Sequence, residues 1–300
     1  SIDVPTIYEV PLKMLEQKLD TVVLDKLNLP IREINLDKWK NFLNKVEKPV
    51  DEVAIGLVGK YTELPDAYKS IVESFIHAGS AHSTKVNLQY IDSTKITHEN
   101  VADKLKGLNG ILVAPGFGDR GVEGKITAVQ YARENKIPFF GICLGMQCCV
   151  IEFARNVLGL KDATSTEFVY DTKHPVISLM DEQKEITNMG GTMRLGAYPC
   201  TVSEDSQAYA AYGSTNVSER HRHRYELNNH YLDQFVKAGL IPTGINPQSS
   251  LVEIVEIKDH PWFVGVQFHP EYKSTVVNPH PLFVAFVEAA LKDKQTRKQA

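Results

Sequence analysis

The sequence predicts an α/β fold: an open, mostly parallel twisted sheet with helices on both faces, plus short antiparallel strands in the C-terminal half. Three observations carry that expectation. From Val53 to about residue 158, apolar runs of strand length alternate with stretches whose apolar residues recur at helical spacing. Two of those runs end in glycine-rich turns, at Gly116 and Gly141, where ligands bind in sheets of this kind. After Gly159 the strands become shorter and more polar.

Residues 1–50 stand apart. Leu12, Leu15, Leu19 and Val22-Val23 mark an amphipathic helix, Leu27 to Pro30 breaks it, and Leu36 to Val46 makes a second. Two helices cannot build a core, so this segment reads as a linker or the tail of something else. Val53–Val58 is an apolar strand, 66–78 a helix after Pro65, and Lys85–Ile91 an alternating strand. A short helix over 98–105, a buried strand over 110–114 and a helix over 122–135 follow. Pro138-Phe139-Phe140-Gly141-Ile142 then reads as a buried strand, leading into a helix over 144–158. Further strands are expected at 176–180, 192–202 and 220–228, with a helix over 230–238. A hairpin joins 251–257 to 262–268 through Lys258-Asp259-His260-Pro261. The last helix runs from Pro281 to Lys292. The expected organisation is therefore a linker over 1–50, one domain over 51–293 and a polar tail over 294–300.

Composition limits the function classes. The chain is 43% hydrophobic and 23% charged, as in an ordinary soluble globular protein. A net charge of −4 argues against general nucleic-acid binding. Cys143, Cys148, Cys149 and Cys200 show neither metal spacing nor a disulfide framework, so a reducing cytoplasm fits best. The sequence opens on no signal peptide and has no apolar run of about 18 residues, so no membrane contact is expected.

Gly141-Ile142-Cys143-Leu144-Gly145 places a thiol at the apex of a strand–turn–helix, the layout of a nucleophile elbow. The N-terminus of the following helix favours thiolate. A buried structural cysteine is the alternative. Gly116-Phe117-Gly118-Asp119-Arg120-Gly121 fits a dinucleotide fingerprint on paper, but where the acidic partner belongs the chain has Cys143. The better reading is a turn whose N–H groups stabilise an oxyanion beside the thiol, with a plain tight turn as the alternative. In Gln267-Phe268-His269-Pro270-Glu271, residues i and i+2 of an extended segment point the same way, so Glu271 can orient the His269 imidazole. Arg220, Arg222 and Arg224 alternate with His221 and His223, which puts the arginines on one face, either solvated or anion-attracting.

These motifs, together with Gly190-Gly191-Thr192-Met193-Arg194-Leu195-Gly196 and Ser165-Thr166-Glu167-Phe168, resemble the C-terminal class I glutamine amidotransferase domain of the CTP synthase family. The resemblance covers about 53–290, and Ile7 to Leu12 resembles the end of the family's synthetase domain. It implies a flavodoxin-like fold and a Cys143, His269, Glu271 triad that hydrolyses L-glutamine. Gly116 and Leu144 would supply oxyanion donors. Gly145 and Met146 would line the substrate site, and Gln147, Glu167 and Arg224 would hold the amino and carboxylate groups of glutamine. It further implies that this portion carries no cofactor or metal of its own. The full enzyme would use ATP and Mg2+ to aminate UTP, with GTP as activator, in a homotetramer assembled through the absent synthetase domain. One departure stands out: the family usually reads Pro-Gly-Gly-Phe-Gly where this chain has Ala114-Pro115-Gly116-Phe117-Gly118. Proline cannot donate an N–H. Were that position a donor, transition-state stabilisation would drop by about 3 kcal/mol; with Gly116 as the donor, Pro115 only stiffens the turn. Two rivals remain open: another cysteine hydrolase on this fold, such as a γ-glutamyl peptidase, and a catalytically silent module.

Overall fold

A computed structural model describes residues 3–179 and 193–299. The strands in chain order are β1 (Asp51–Gly59), β2 (Thr84–Asp92), β3 (Gly110–Val113), β4 (Phe139–Ile142), β5 (Ala163–Ser165) and β6 (His174–Leu179). They continue as β7 (Arg194–Val202), β8 (Asn216–His223), β9 (Tyr225–Leu227), β10 (Leu240–Ile245), β11 (Val252–Ile257) and β12 (Phe263–Val266). The helices are α1 (Val10–Glu16), α2 (Leu19–Lys26), α3 (Asp37–Glu47), α4 (Lys69–Ala81), α5 (Val101–Lys104), α6 (Val122–Glu134) and α7 (Leu144–Asn156). We number the rest α8 (Gln207–Tyr212), α9 (Leu232–Ala238) and α10 (Pro281–Gln299).

Nine strands form one sheet in the order β2-β1-β3-β4-β12-β11-β10-β7-β8. The five from β2 to β12 run parallel, and from β12 through β11, β10 and β7 to β8 each neighbour is antiparallel. The short C-terminal strands thus extend the parallel sheet instead of forming a separate body. A small sheet, β5-β6-β9, lies apart from it.

Strand residues alternate between two apolar layers. Ile111, Val113, Phe139 and Phe263 face α6 and α7, with Phe139 stacked on Phe263 at 4.3 Å. Leu112, Phe140, Ile142, Val264 and Val266 face α4 and α10, where Phe283 meets both Phe75 and Phe140 edge-on. Burying each such phenylalanine contributes roughly 2 kcal/mol, so the tightest packing surrounds β4 and β12, the two strands beneath the site.

Several boundaries differ from the sequence reading. The first helix is split into α1 and α2, because Lys18 adopts a left-handed conformation at φ 56°. β10 was not expected: Pro242 and Gly244 disguise it, and its register against β11 shifts around those residues. β5 and α8 were too short to show a period. The expected strand over 220–228 is two, β8 and β9, and α10 continues seven residues beyond Lys292 to Gln299. Residues 190–192 of the glycine-rich motif lie outside the described residues, as does the end of the strand expected at 176–180. Among the described residues no helix is long and apolar enough to cross a membrane.

Candidate active site

Cys143 sits between β4 and α7 with φ 53° and ψ −106°, a conformation that costs an L-residue about 1–3 kcal/mol. Neighbouring contacts hold it there. Its N–H donates to the Val266 carbonyl of β12 at 2.7 Å. The flanking glycines make room for the turn: a Cβ on Gly145 would fall 2.1 Å from the Val113 carbonyl oxygen, and one on Gly141 would fall 2.8 Å from the Gly145 backbone. The thiol is thereby fixed at the carboxyl end of the sheet, buried at the start of a 13-residue helix.

Beyond β12 the chain turns across that end. His269 is tied by its N–H to the Arg220 carbonyl at 2.8 Å, and a short 3-10 turn over Pro270–Tyr272 follows. The His269 Nδ1 lies 2.7 Å from Glu271 Oε1, and the Tyr272 ring stacks on the imidazole at 4.9 Å with the ring planes nearly parallel. Burial disfavours a charged imidazole here. The neighbouring Cys143 and the Glu271 carboxylate, which accepts from Nδ1–H, outweigh burial and raise the His269 pKa to about 11. Nε2, the ring nitrogen not engaged by Glu271, is buried and has no hydrogen-bond partner among the described residues.

The glycine-rich turn roofs the thiol. Gly116, Phe117, Cys143, Gln147, Glu167, His223, Arg224 and Tyr225 line one narrow pocket of about 20 Å³, room for a single water. Gly118 and Gly121 take left-handed conformations (φ 71° and 78°), and the Gly118 N–H donates to Glu167 Oε1 at 2.7 Å. Burial raises the Glu167 pKa, against that hydrogen bond and the nearby Lys60 and Arg224. The Lys60 ammonium donates to the Phe117 carbonyl. Of the expected site residues, Gly116, Cys143, Gln147, Glu167 and Arg224 thus share one pocket, with His269 and Glu271 behind the thiol. Leu144, Gly145 and Met146 are buried and do not line it; Gly145 packs on β3 and Met146 on Gly265 of β12.

The arginine row is only half as expected. Arg220 and Arg222 point outward while His221 and His223 point inward, but Arg224 falls between β8 and β9, where the chain turns, and reaches the pocket. The two histidines are 2.8 Å apart, and burial lowers both pKa values, so they are neutral. Beside them Arg194 bridges Glu226 and Glu253 at 2.9 Å each.

Two further residues escaped the sequence reading. Lys125 on α6 is completely buried; its ammonium donates to the Ala114 carbonyl at 2.6 Å and lies 3.6 Å from where a Gly116 Cβ would be. Burial lowers its pKa to about 8, with Cys148 and Cys143 opposing that shift. The available signal was a lysine among Val122, Ile126 and Val129 on the apolar face of its helix. Gln267 donates to the Cys143 sulfur at 3.7 Å and accepts from Gln147 at 3.2 Å, forming a buried amide relay. Burial also raises the thiol pKa values of Cys148 (to about 12), Cys149 and Cys200. Among the described residues no cluster of three or more His, Cys, Asp or Glu could hold a metal ion.

A family model for class I glutamine amidotransferases matches residues 63–289. The chain belongs to the class I glutamine amidotransferases. Within them it is similar to CTP synthases: 62% identical over 291 residues to that of Cytophaga hutchinsonii, covering 97% of this chain and 54% of the relative. It is 60% identical over 301 residues to the CTP synthase of Christiangramia forsetii, covering 100% and 55%. This amidotransferase chain spans about half the length of the curated relatives it matches. Among solved structures, the glutaminase domain of Trypanosoma brucei CTPS with bound acivicin superposes with a TM-score of 0.76 at 41% identity, covering 80% of this chain and 94% of that one. A putative GMP synthase protein from Thermoplasma acidophilum shares the fold at 15% identity and a TM-score of 0.54, covering 82% of this chain and 98% of that one.

Proposed function

We propose that this amidotransferase domain hydrolyses the side-chain amide of L-glutamine through Cys143, His269 and Glu271. In the whole protein, ammonia then passes to a synthetase domain that aminates UTP to CTP with ATP and Mg2+. The observation that carries the reading is the strained Cys143 facing an imidazolium that Glu271 orients, beside a pocket holding both Glu167 and Arg224. The Cys143 thiolate attacks the amide carbon, and the oxyanion that forms is met by the N–H groups of Gly116 and Leu144; a first-turn N–H such as that of Leu144 has no intrahelical acceptor. His269 gives its Nε2 proton to the departing nitrogen, which leaves as ammonia with the thioester behind. The now neutral His269 takes a proton from water, the hydroxide attacks the thioester, and glutamate leaves as the thiolate is restored. Glu167 meets the α-ammonium of glutamine and Arg224 its α-carboxylate, with Gln147 beside them. GTP stimulation, a homotetramer and a cytoplasmic setting belong to the same proposal, for the full-length enzyme.

The test is peptide mapping after treatment with a glutamine-like diazoketone. One adduct on Cys143, blocked by excess glutamine and absent in Cys143→Ala, is expected. Adducts on Cys148, Cys149 or Cys200 would sink the assignment. Ammonia release from glutamine, with no cleavage of γ-glutamyl peptides, separates this activity from the peptidase alternative.

A further inference from the structure

Glu271 poses a mechanical problem. One carboxylate oxygen binds His269, and the other is buried with no hydrogen-bond partner among the described residues. No second side chain therefore holds this carboxylate, and its position depends on how the backbone of its segment is anchored. On the N-terminal side that anchor is the His269 N–H on Arg220. On the C-terminal side Lys273 ties the segment to β8 by donating to the Ser218 carbonyl, and Ser274, three residues beyond Glu271, ties it to α4.

Ser274 Oγ accepts from the His280 N–H at 3.2 Å and lies 3.1 Å from Nδ1 of His77 on α4. The other ring nitrogen, Nε2, lies 3.0 Å from the hydroxyl of Tyr8, which donates to Glu73. With His77 neutral and Glu73 ionised, one proton arrangement satisfies every partner. Tyr8 donates to the Glu73 carboxylate and accepts from Nε2–H of a neutral His77, and Nδ1 accepts from the Ser274 hydroxyl. Burial favours that neutral imidazole. Tyr8 is itself held by α3, where Trp39 Nε1 donates to its carbonyl at 2.6 Å and Phe42 packs edge-on to its ring at 4.9 Å. Val276, on the triad segment, packs against the same Tyr8–Phe42–Leu43 cluster.

We propose that Tyr8, His77 and Ser274 form a latch through which the N-terminal helical segment positions Glu271, and through it His269. The latch joins three parts distant in sequence: the segment before β1, the helix α4 and the segment after β12. It rests on the proposed glutaminase chemistry. None of the three residues touches the pocket, so all are positioning residues, and the hydroxyls can be removed without disturbing the machinery itself. A shift of the N-terminal segment that breaks the Tyr8–His77 contact frees Ser274 and lets the His269–Glu271 hydrogen bond lengthen.

The experiment compares Tyr8→Phe, Ser274→Ala, the double variant and Ser274→Thr in the 300-residue chain. Glutamine turnover is measured alongside the downfield proton resonance of the His269–Glu271 hydrogen bond. The latch predicts a three- to tenfold loss of kcat in each single variant, with KM within twofold, and an upfield move of the resonance. The double variant should lose no more than the worse single one, because both act through His77, and Ser274→Thr, which keeps the hydroxyl, should retain kcat. An unmoved resonance with unchanged kcat in Tyr8→Phe overturns the latch, as do losses that multiply in the double variant. The resonance needs no turnover: a parent chain inert toward glutamine refutes the proposed function, while the resonance in Tyr8→Phe still supports or overturns the latch.

Discussion

Lys125 provides a quantitative test of the electrostatics under the glycine-rich turn. The perturbation is Lys125→Met, which keeps an unbranched side chain one atom shorter and removes its charge. Burial lowers the ammonium from 10.5 to about 8 in the folded chain, and each unit is worth about 1.4 kcal/mol. Below pH 8 the folded protein therefore carries a cost of about 3 kcal/mol for keeping Lys125 protonated. Between pH 8 and 10.5 the unfolded chain binds more protons than the folded one, so stability rises with pH there and the cost is gone above that window. Methionine removes the cost but leaves the buried Ala114 carbonyl without its donor, a loss of about 1–2 kcal/mol. The variant is then more stable than the parent by about 1–2 kcal/mol at pH 7, an advantage that shrinks by about 1 kcal/mol by pH 9. Urea unfolding of both proteins at pH 7, 8 and 9, followed by far-ultraviolet circular dichroism, measures the difference with all other titrations cancelled. A variant less stable at pH 7, with a difference from the parent that does not vary with pH, would refute the reasoning.

Other expectations follow from the site. Glu271→Gln removes the charge that helps raise His269 and lowers glutamine turnover at least ~10²-fold, with the chain still folded by circular dichroism. With the His269 pKa raised to about 11, the imidazolium persists through neutrality, so the alkaline limb of the turnover–pH profile lies near 11; a limb near the ordinary 6.5 contradicts the ion pair. Gly145→Ala places a methyl group 2.1 Å from the Val113 oxygen and destabilises the chain by at least about 2 kcal/mol. Gly116→Ala, whose Cβ meets nothing nearer than 3.4 Å, unfolds within about 1 kcal/mol of the parent in the same denaturant titration. Pro115→Gly changes glutamine turnover less than tenfold if Gly116 is the oxyanion donor.

Periodic elements were legible because their signal is local. The alternation from β1 to α7 follows from apolar spacing alone, and the elbow and His-x-Glu pairing follow from spacings of one or two residues. What escaped depended on tertiary context. β10 carries a proline and a glycine that a bulged strand tolerates once β11 is beside it. Lys18 breaks the first helix through a backbone conformation that no apolar pattern encodes. Lys125 was not singled out: its place on the apolar face of α6 hints at burial, but the carbonyl that its ammonium meets lies in another loop. Arg224 left its row because β8 ends one residue earlier, a boundary below the resolution of a periodicity argument. Chemistry set by neighbours in sequence was readable; chemistry set by neighbours in space was not.

The central position of β12 bears on how the protein is made. β12 follows every other described strand in the chain, yet it is inserted between β4 and β11 in the middle of the sheet, and Gln267 follows Cys143 by 124 residues. Until it arrives, β4 is an open edge, the Cys143 N–H lacks the Val266 carbonyl, and no imidazole faces the sulfur. A nascent or half-folded chain therefore carries an unarmed thiol. The same strand that closes the sheet brings Gln267, His269 and Glu271 within reach of Cys143, so completing the sheet and assembling the candidate site depend on one long-range pairing. Such long-range pairing folds slowly. In return, the Cys143 sulfur meets its partners at the candidate site only once the sheet that buries it is complete.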